Sequence, residues 1–307
     1  MDAFDSCTKM KIEKKIPIPI FVISYNRVNV LKETLNSFES ILDPYVIVIC
    51  DNNSTYPPLI RYLKNIETSG IKVMWNVQND LYGNIDANVK SWFNQTKSKS
   101  PYYVVTDPDV KLCNKPMNLL KDFSKILEEE SVDVVGPMLR IDDIPDYYPL
   151  KSKVMSRHRC FWEKEKSDFF IKGNMKLIHA PIDTTFGLYR RNYVKNGITK
   201  GIRVCSPYIA QHLDWYIDPN NMKDDQIYYI VNSRSDISHW NGGKDFQMKI
   251  KKMKIYKEIL NSKSHLLSKN YGSNKELSLR SEKKIEASST KLASKKKKSN
   301  NSRGSFR

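Results

Sequence analysis

Apolar residues in the first half of the chain fall into short unbroken runs separated by helical patterns. "IPIPIFVIS" (16–24), "YVIVICD" (45–51), "IKVMWN" (71–76), "SPYYVVTD" (100–107) and "VDVVGP" (132–137) each read as a buried strand. After the first run, Leu31, Leu35, Phe38 and Leu42 recur at helical spacing. A further helix is predicted to open at Asn114, with Pro116 in its first turn and Leu119, Leu120, Phe123, Ile126 and Leu127 on its apolar face. This alternation predicts an α/β fold. The stretch from 111 to 245 is less regular and rich in aromatics: "IDTTFGLYRR" (182–191), "PYIAQHLDWYIDP" (207–219), "MKDDQIYY" (222–229) and "SDISHWNGG" (235–243). After Asp245, Phe246, Ile250, Met253, Tyr256 and Leu260 share one face among lysines. That predicts a basic amphipathic helix over 246–262, packed on its own domain or lying on an anionic membrane surface.

Polar residues gather where the runs end. The first ends in Ser24-Tyr25-Asn26-Arg27 and the second in Asp51-Asn52-Asn53-Ser54. The third leads through Asn76 to Asp80 into Tyr82-Gly83-Asn84, and the fourth ends in Asp107-Pro108-Asp109. Ligands of open parallel sheets bind outside the carboxyl ends of the strands, so four successive polar ends predict one polar cleft. Asp-x-Asp at such an end offers oxygen ligands to Mn2+ or Mg2+, which neutralise a diphosphate leaving group. As a bare pattern it is also ordinary turn chemistry. Asp51 is a candidate partner for a nucleobase or a turn acid, and Asn79, Gly83 and Asn84 are candidates for close approach to a nucleotide.

Transfer of a group to a hydroxyl needs a second acid as base. Asp214, Asp218, Asp224 and Asp225 are candidates. Asp224 and Asp225 precede an aromatic helical pattern, where the helix macrodipole favours the ionised form and where an acid also serves as a cap. His239 in "SHW" is a candidate third cation ligand or a residue packed beside Trp240. Trp215, Tyr216 and Trp240 suit sugar faces or a core equally well.

The net charge is +17, unevenly placed, with 13 lysines and arginines against 3 glutamates from Asn261 to Arg307. That segment is poor in large apolar residues, so 263–307 is expected to be a disordered basic tail, either solubilising or in contact with acidic membrane or polyanion. No apolar run approaches the ~20 residues that cross a bilayer. The N-terminal arm, 1–16, lacks the apolar core of a signal peptide. A soluble, cytoplasmic protein is expected. The five cysteines are widely spaced without a C-x-x-C pair, which fits a reducing compartment.

Taken in order, these motifs resemble the family 2 glycosyltransferases. "PIPIFVISYNRVNVLKETLNSF" resembles their opening strand, nucleotide loop and first helix, and "VIVICDNNST" their second strand and loop. "NVQNDLYGNIDANVK" resembles the following loop and helix, "VVTDPDV" the Asp-x-Asp, "MKDDQIYY" the Glu-Asp pair that carries the base, and "ISHW" a metal-binding His. The resemblance implies a GT-A fold, a Rossmann-like α/β domain with a mixed, mainly parallel central sheet flanked by helices. It spans 17–245, with a nucleotide-binding half at 17–110 and an acceptor half at 111–245. It implies nucleotide contacts at Ser24, Tyr25, Asn26, Arg27, Asp51, Asn52, Asn79, Gly83, Asn84, Asp107 and Pro108. Asp109, Asp107 and His239 would hold Mn2+ or Mg2+. Asp225 would be the base, with Asp224 beside it and Asp214 as the alternative. Asp183, Thr184, Trp215 and Tyr216 would face the acceptor. The implied activity is inverting transfer of a sugar from a nucleotide sugar, UDP favoured, to a glycan hydroxyl. The alternative is an inactive GT-A-like protein docking to polyanions through its tail.

Overall fold

The structure, a computed structural model, describes residues 16–113, 115–163, 168–193, 199–232, 240–241 and 243–251. The chain divides into two units, Met1–Tyr256 and Lys257–Arg307, and all described residues lie in the first. The tail from 263 and the end of the 246–262 helix lie outside them.

The elements run β1 (Ile18–Ser24), α1 (Val28–Ser37), β2 (Tyr45–Asp51), α2 (Pro57–Thr68), β3 (Lys72–Trp75), α3 (Leu81–Thr96), β4 (Tyr102–Thr106), β5 (Val110–Leu112), α4 (Leu119–Glu129) and β6 (Val134–Leu139). They continue α5 (Lys151–Trp162), β7 (Phe169–Lys172), β8 (Met175–His179), β9 (Gly187–Arg190), β10 (Gly201–His212), α6 (Asp224–Asn232) and α7 (Lys244–Lys251). The strands form one sheet in the order β3-β2-β1-β4-β9-β6-β10-β8-β7, with β5 on β10. β3, β2, β1 and β4 are mutually parallel, and β9 runs antiparallel between β4 and β6. This mixed sheet flanked by helices is the GT-A architecture expected from the sequence.

The unbroken apolar runs are strands buried on both faces. Every residue of β1 is buried, as a central strand covered on two sides requires. On one side α3 lays Ile85, Val89, Trp92 and Phe93 over Phe21, Val48, Tyr103 and Val105. Phe21 meets Trp92 edge-to-face at 5.8 Å. Truncating such a ring to Ala costs ~3–5 kcal/mol.

Two helix expectations shift. Helix α4 opens at Leu119, not Asn114. The chain bends at Lys115 and Pro116, Met117 bridges Ile41, and Asp43 Oδ2 then accepts the Leu120 N–H at 2.8 Å. Helix α1 ends at Ser37, and a 3-10 turn carries the chain away, so Leu42 is 59% exposed. Helix α5 has a single fully buried residue, Val154, so no apolar stripe announces it. In α7, Phe246 and Ile250 are fully buried, and Phe246 lies against Tyr148. Those two positions pack on the protein. Among the described residues no helix is long and apolar enough to cross a membrane.

Strand β10 changes partners along its length. It runs parallel to β6 from Gly201, shifts register between Val204 and Ile209, and pairs antiparallel with β5 at Ala210–His212. That bulge brings its end to the turn after β4.

Candidate active site

Two strand ends meet in the middle of the sheet. His212 pairs with Val110, and the Leu213 N–H donates to the Asp109 carbonyl at 2.7 Å. This register sets His212 and Asp214 against Asp109. The ligand-type atoms of the three buried residues lie within 4.8 Å of one another. His212 is held flat against Trp215, with ring centroids 5.0 Å apart and 7° between planes. Arg27, at the start of α1, enters from the other side. Its Nη1 lies 3.0 Å from Asp109 Oδ2 and 2.5 Å from Asp214 Oδ1. Its guanidinium carbon lies 4.4 Å from the Tyr229 ring centroid.

Burial and mutual charge set the protonation of this cluster. Burial acts to lower Arg27, but Asp214 and Asp109 more than offset it and hold the guanidinium well above its usual value. Burial would raise Asp109, yet the neighbouring His212 and Arg27 bring it down to about 2. Burial lowers His212 against the pull of Asp109, so Arg27 is the cation that holds Asp109 ionised at neutral pH. Asp214 is pushed up to about 8 by burial and by the Asp109 charge, against the pull of Arg27. Asp107 is raised well above the carboxylate range by burial and by Asp109.

The donor set fits a hard divalent cation, with two carboxylates and one imidazole converging at the end of a sheet. The specific sign is that Asp109 Oδ1 and His212 Nδ1 are buried without a hydrogen-bond partner among the described residues. His212 Nδ1 is 3.5 Å from Asp109 Oδ2. Arg27 occupies the same two carboxylates that a cation would take.

The cluster lies in a cleft of about 420 Å³. Of the residues singled out by sequence, Tyr25, Arg27, Asn52, Asn79, Asp107, Pro108, Asp109, Asp183, Thr184, Asp214, Trp215 and Trp240 line it. Asp107 is tied to the 183–185 segment, because its N–H donates to the Thr184 carbonyl at 2.7 Å and its Oδ2 accepts Thr184 Oγ1 at 2.5 Å. The neighbouring Asp183 is exposed in the cleft, and its carboxylate has no hydrogen-bond partner among the described residues.

Other singled-out residues stand behind the cleft. Asp51 is buried, and its two oxygens accept the Ser54 N–H at 2.9 Å and Ser54 Oγ at 2.6 Å. It shapes the loop after β2. Asn26, at φ 54°, accepts the N–H groups of Thr55 and Tyr56 on its Oδ1 and so ties that loop to the end of β1. Ser24 is buried at the same strand end. Asn84 donates to Asn52 Oδ1 at 2.9 Å, orienting a residue that does line the cleft. Gly83 donates its N–H to Asp80, the cap of α3, and a Cβ there would stand 2.4 Å from Asp80 Oδ2.

Asp225 is fully buried and caps α1 from across the fold, accepting the Asn29 N–H at 2.7 Å and Asn29 Nδ2 at 2.8 Å. Asp224 opens α6, and Tyr216 donates to Asp143; neither lines the cleft. His239 lies outside the described residues. The imidazole found in the cluster is His212, which the sequence reading passed over. A signal existed in "QHLDWY", because His212-x-Asp214 at a strand end repeats the spacing of Asp107-x-Asp109. Arg157, His158 and Arg203, also in the cleft lining, carried no comparable sign.

A family model described as glycosyl transferase family 2 matches residues 20–197. No curated protein matches the chain. Among solved structures, the chain is similar to the mannosyltransferase PcManGT from Pyrobaculum calidifontis in complex with GDP-Man and Mn2+. That match has 12% identity and a TM-score of 0.41, covering 84% of this chain and 72% of that one. It is also similar to S. aureus TarS 1-349 in complex with UDP, at 14% identity and a TM-score of 0.39, covering 84% and 74% of the two chains. Against the S. aureus TarS structure, at 15% identity and a TM-score of 0.38, it covers 83% of its own length and 44% of the other.

Proposed function

The chain belongs to glycosyl transferase family 2, and on that premise we propose that it moves a sugar from a nucleoside-diphosphate sugar, UDP favoured, to a hydroxyl of a glycan acceptor with inversion. The observation that carries this reading is the buried cluster of Asp109, His212 and Asp214 beside Asp107 in the cleft. Tyr25, Asn52 and Asn79 would flank the nucleotide at the ends of β1 to β3, on loops braced by Asn26, Asp51 and Asn84. Asp109, His212 and Asp214 would hold a divalent cation, the mixed oxygen and imidazole set favouring Mn2+ over Mg2+. When bound, that cation supplies Lewis-acid neutralisation of the departing diphosphate.

Arg27 sits beside the same carboxylates and would contribute positive charge to the leaving group. The acceptor oxygen would form its bond to the anomeric carbon as the bond from that carbon to the diphosphate oxygen breaks. The proton goes to a carboxylate facing the acceptor. Asp225 has both oxygens committed to Asn29, so the base role suggested for it by sequence passes to Asp183. That carboxylate is exposed in the cleft, and Thr184 fixes its backbone beside Asp107.

The test incubates the protein with UDP-, GDP- and dTDP-sugars and Mn2+ and measures release of the nucleoside diphosphate. One donor class is expected to turn over. Asp109→Ala is expected to lose both turnover and Mn2+ binding, and the reading fails if both survive.

A further inference from the structure

The cleft continues past the acids. The nucleotide end belongs to β1, β2 and β3, and the acids to the end of β4. Arg203, on β10, stands three strands from β4 in the sheet order. Helix α5 covers that end and contributes Arg157, His158 and Phe161 to the lining.

Positive charge accumulates there, with no carboxylate hydrogen-bonded to either arginine among the described residues. Arg203 is 4% exposed, and its hydrogen bonds go to neutral groups: the carbonyls of Pro181 and Pro137, each at 3.0 Å, and Thr185 Oγ1 at 3.4 Å. The acid acting on it is Asp183, with no hydrogen bond between them among the described residues. A buried cation with neutral partners alone is costly, and an anionic ligand offsets that cost.

Arg157 is exposed. Its guanidinium lies 5.8 Å from the Trp240 ring centroid and contacts no carboxylate among the described residues. Other cations of α5 are paired: Lys151 with Asp146 at 2.7 Å, Arg159 with Glu163 at 2.5 Å, and Lys153 with Asp245. Among the described residues, the arginine that faces the cleft has no such carboxylate partner. His158 stands near both arginines, and burial together with the charges of Arg203 and Arg157 pushes it down to about 3. It is therefore a neutral imidazole, able to meet a hydroxyl. Trp240, half-buried and braced edge-to-face at 5.7 Å by the fully buried Trp215, supplies an aromatic ring of the kind that stacks on sugar C–H faces.

We propose that the end of the cleft walled by Arg157, Arg203, Trp215 and Trp240 is an acceptor subsite for an acidic sugar, whose carboxylate or phosphate is held by the two arginines. The proposal rests on the sugar-transfer reading and names the class of acceptor for it. Arg157 meets the anion from the rim and Arg203 from the floor, while the acceptor hydroxyl faces Asp183.

The test uses the whole protein and saturation-transfer NMR with three disaccharides of one stereochemistry. One carries glucuronate, one is its carboxyl-reduced neutral counterpart, and one carries a 6-phosphate in place of the carboxylate. At least one acidic form is expected to bind at least about tenfold more tightly than the neutral form. Which acidic form wins separates carboxylate from phosphate. Arg157→Gln, an exposed change compatible with folding, is expected to erase most of that preference. UDP is expected to leave the acidic probe in place.

The proposal is overturned if the neutral disaccharide binds as tightly as both acids. It is also overturned if Arg157→Gln keeps the preference, which would place binding elsewhere on the basic surface, or if UDP displaces the probe. None of these readouts needs turnover. Failure of the donor assay with this pattern intact would overturn the transfer reading alone.

Discussion

Both oxygens of Asp225 are taken by one residue 196 positions away: Oδ2 accepts the Asn29 N–H at 2.7 Å and Oδ1 accepts Asn29 Nδ2 at 2.8 Å. Asn29 lies in the first turn of α1, where N–H groups lack intrahelical acceptors and negative charge is favoured. No side chain at the Arg27 cap position does this work locally. Asp225→Ala should therefore behave as the loss of a cap, costing ~1–2 kcal/mol. That corresponds to a fall of roughly 2–8 °C in Tm for a domain of this size. Nucleotide-sugar hydrolysis per folded molecule should stay within about threefold of the native rate. A folded variant without hydrolysis would return the base role to Asp225.

Arg27 is the internal counter-ion of Asp109 and also contacts Asp214, and all three side chains are almost fully buried. Arg27→Met strips the positive charge and leaves the ionised Asp109 buried beside Asp214 without its counter-ion. Breaking a buried pair in this way costs ~3–5 kcal/mol. Mn2+ should recover much of the loss, since a ligand at 100 times its Kd stabilises by ~2.7 kcal/mol. Thermal melts with and without Mn2+ are expected to show a larger cation-induced rise in Tm for Arg27→Met than for the native chain. An equal rise in both would mean that the cation does not bind between these carboxylates.

The strands and the Asp-x-Asp were legible because burial on both faces writes an unbroken apolar run, and because a strand end has a fixed place in a parallel sheet. Asp109, Asp107 and Asn52 follow from that logic. The hydrogen bonds of Asp51 to Ser54 and of Asp225 to Asn29 do not, because what an acid meets depends on the folded chain, and Asn29 lies far from Asp225 in sequence. His212 was hidden by the bulge in β10, since only the register with β5 brings it beside Asp109. Arg157 was hidden by the weak amphipathicity of α5, and Arg203 by an ordinary position in a strand.

Asp214 gives the metal-free protein a pH signature. Burial and the Asp109 charge hold it at about 8, against ~3.9 for a free aspartate. Between about pH 4 and pH 8 the folded chain keeps a proton there that the unfolded chain has released. Stability from this group is thus greatest at low pH and declines as pH rises through that window. Asp109, held at about 2, acts with the opposite sign, its contribution being lost as pH falls from about 4 toward 2. Tm recorded from pH 5 to pH 8 in a chelator should fall less steeply for Asp214→Asn than for the native chain, whatever the variant's absolute stability. An unchanged slope would show that Asp214 does not carry the proton.

Asp183 separates binding from chemistry. Its carboxylate is exposed in the cleft, while the adjoining Thr184 is fixed to Asp107 through both backbone and side chain. A general base contributes ~10²–10⁴-fold to rate. Asp183→Asn keeps the size of the side chain and removes its ability to take a proton. Transfer to an acceptor should therefore drop by ~10²–10⁴-fold in kcat, with the Kd for UDP and Mn2+ changed by less than about threefold. The two measurements together locate the defect. A loss confined to nucleotide affinity would put Asp183 on the donor. A loss confined to KM for the acceptor would make it a positioning residue, and the proton would then need another carboxylate in the cleft, with Asp214 next in line.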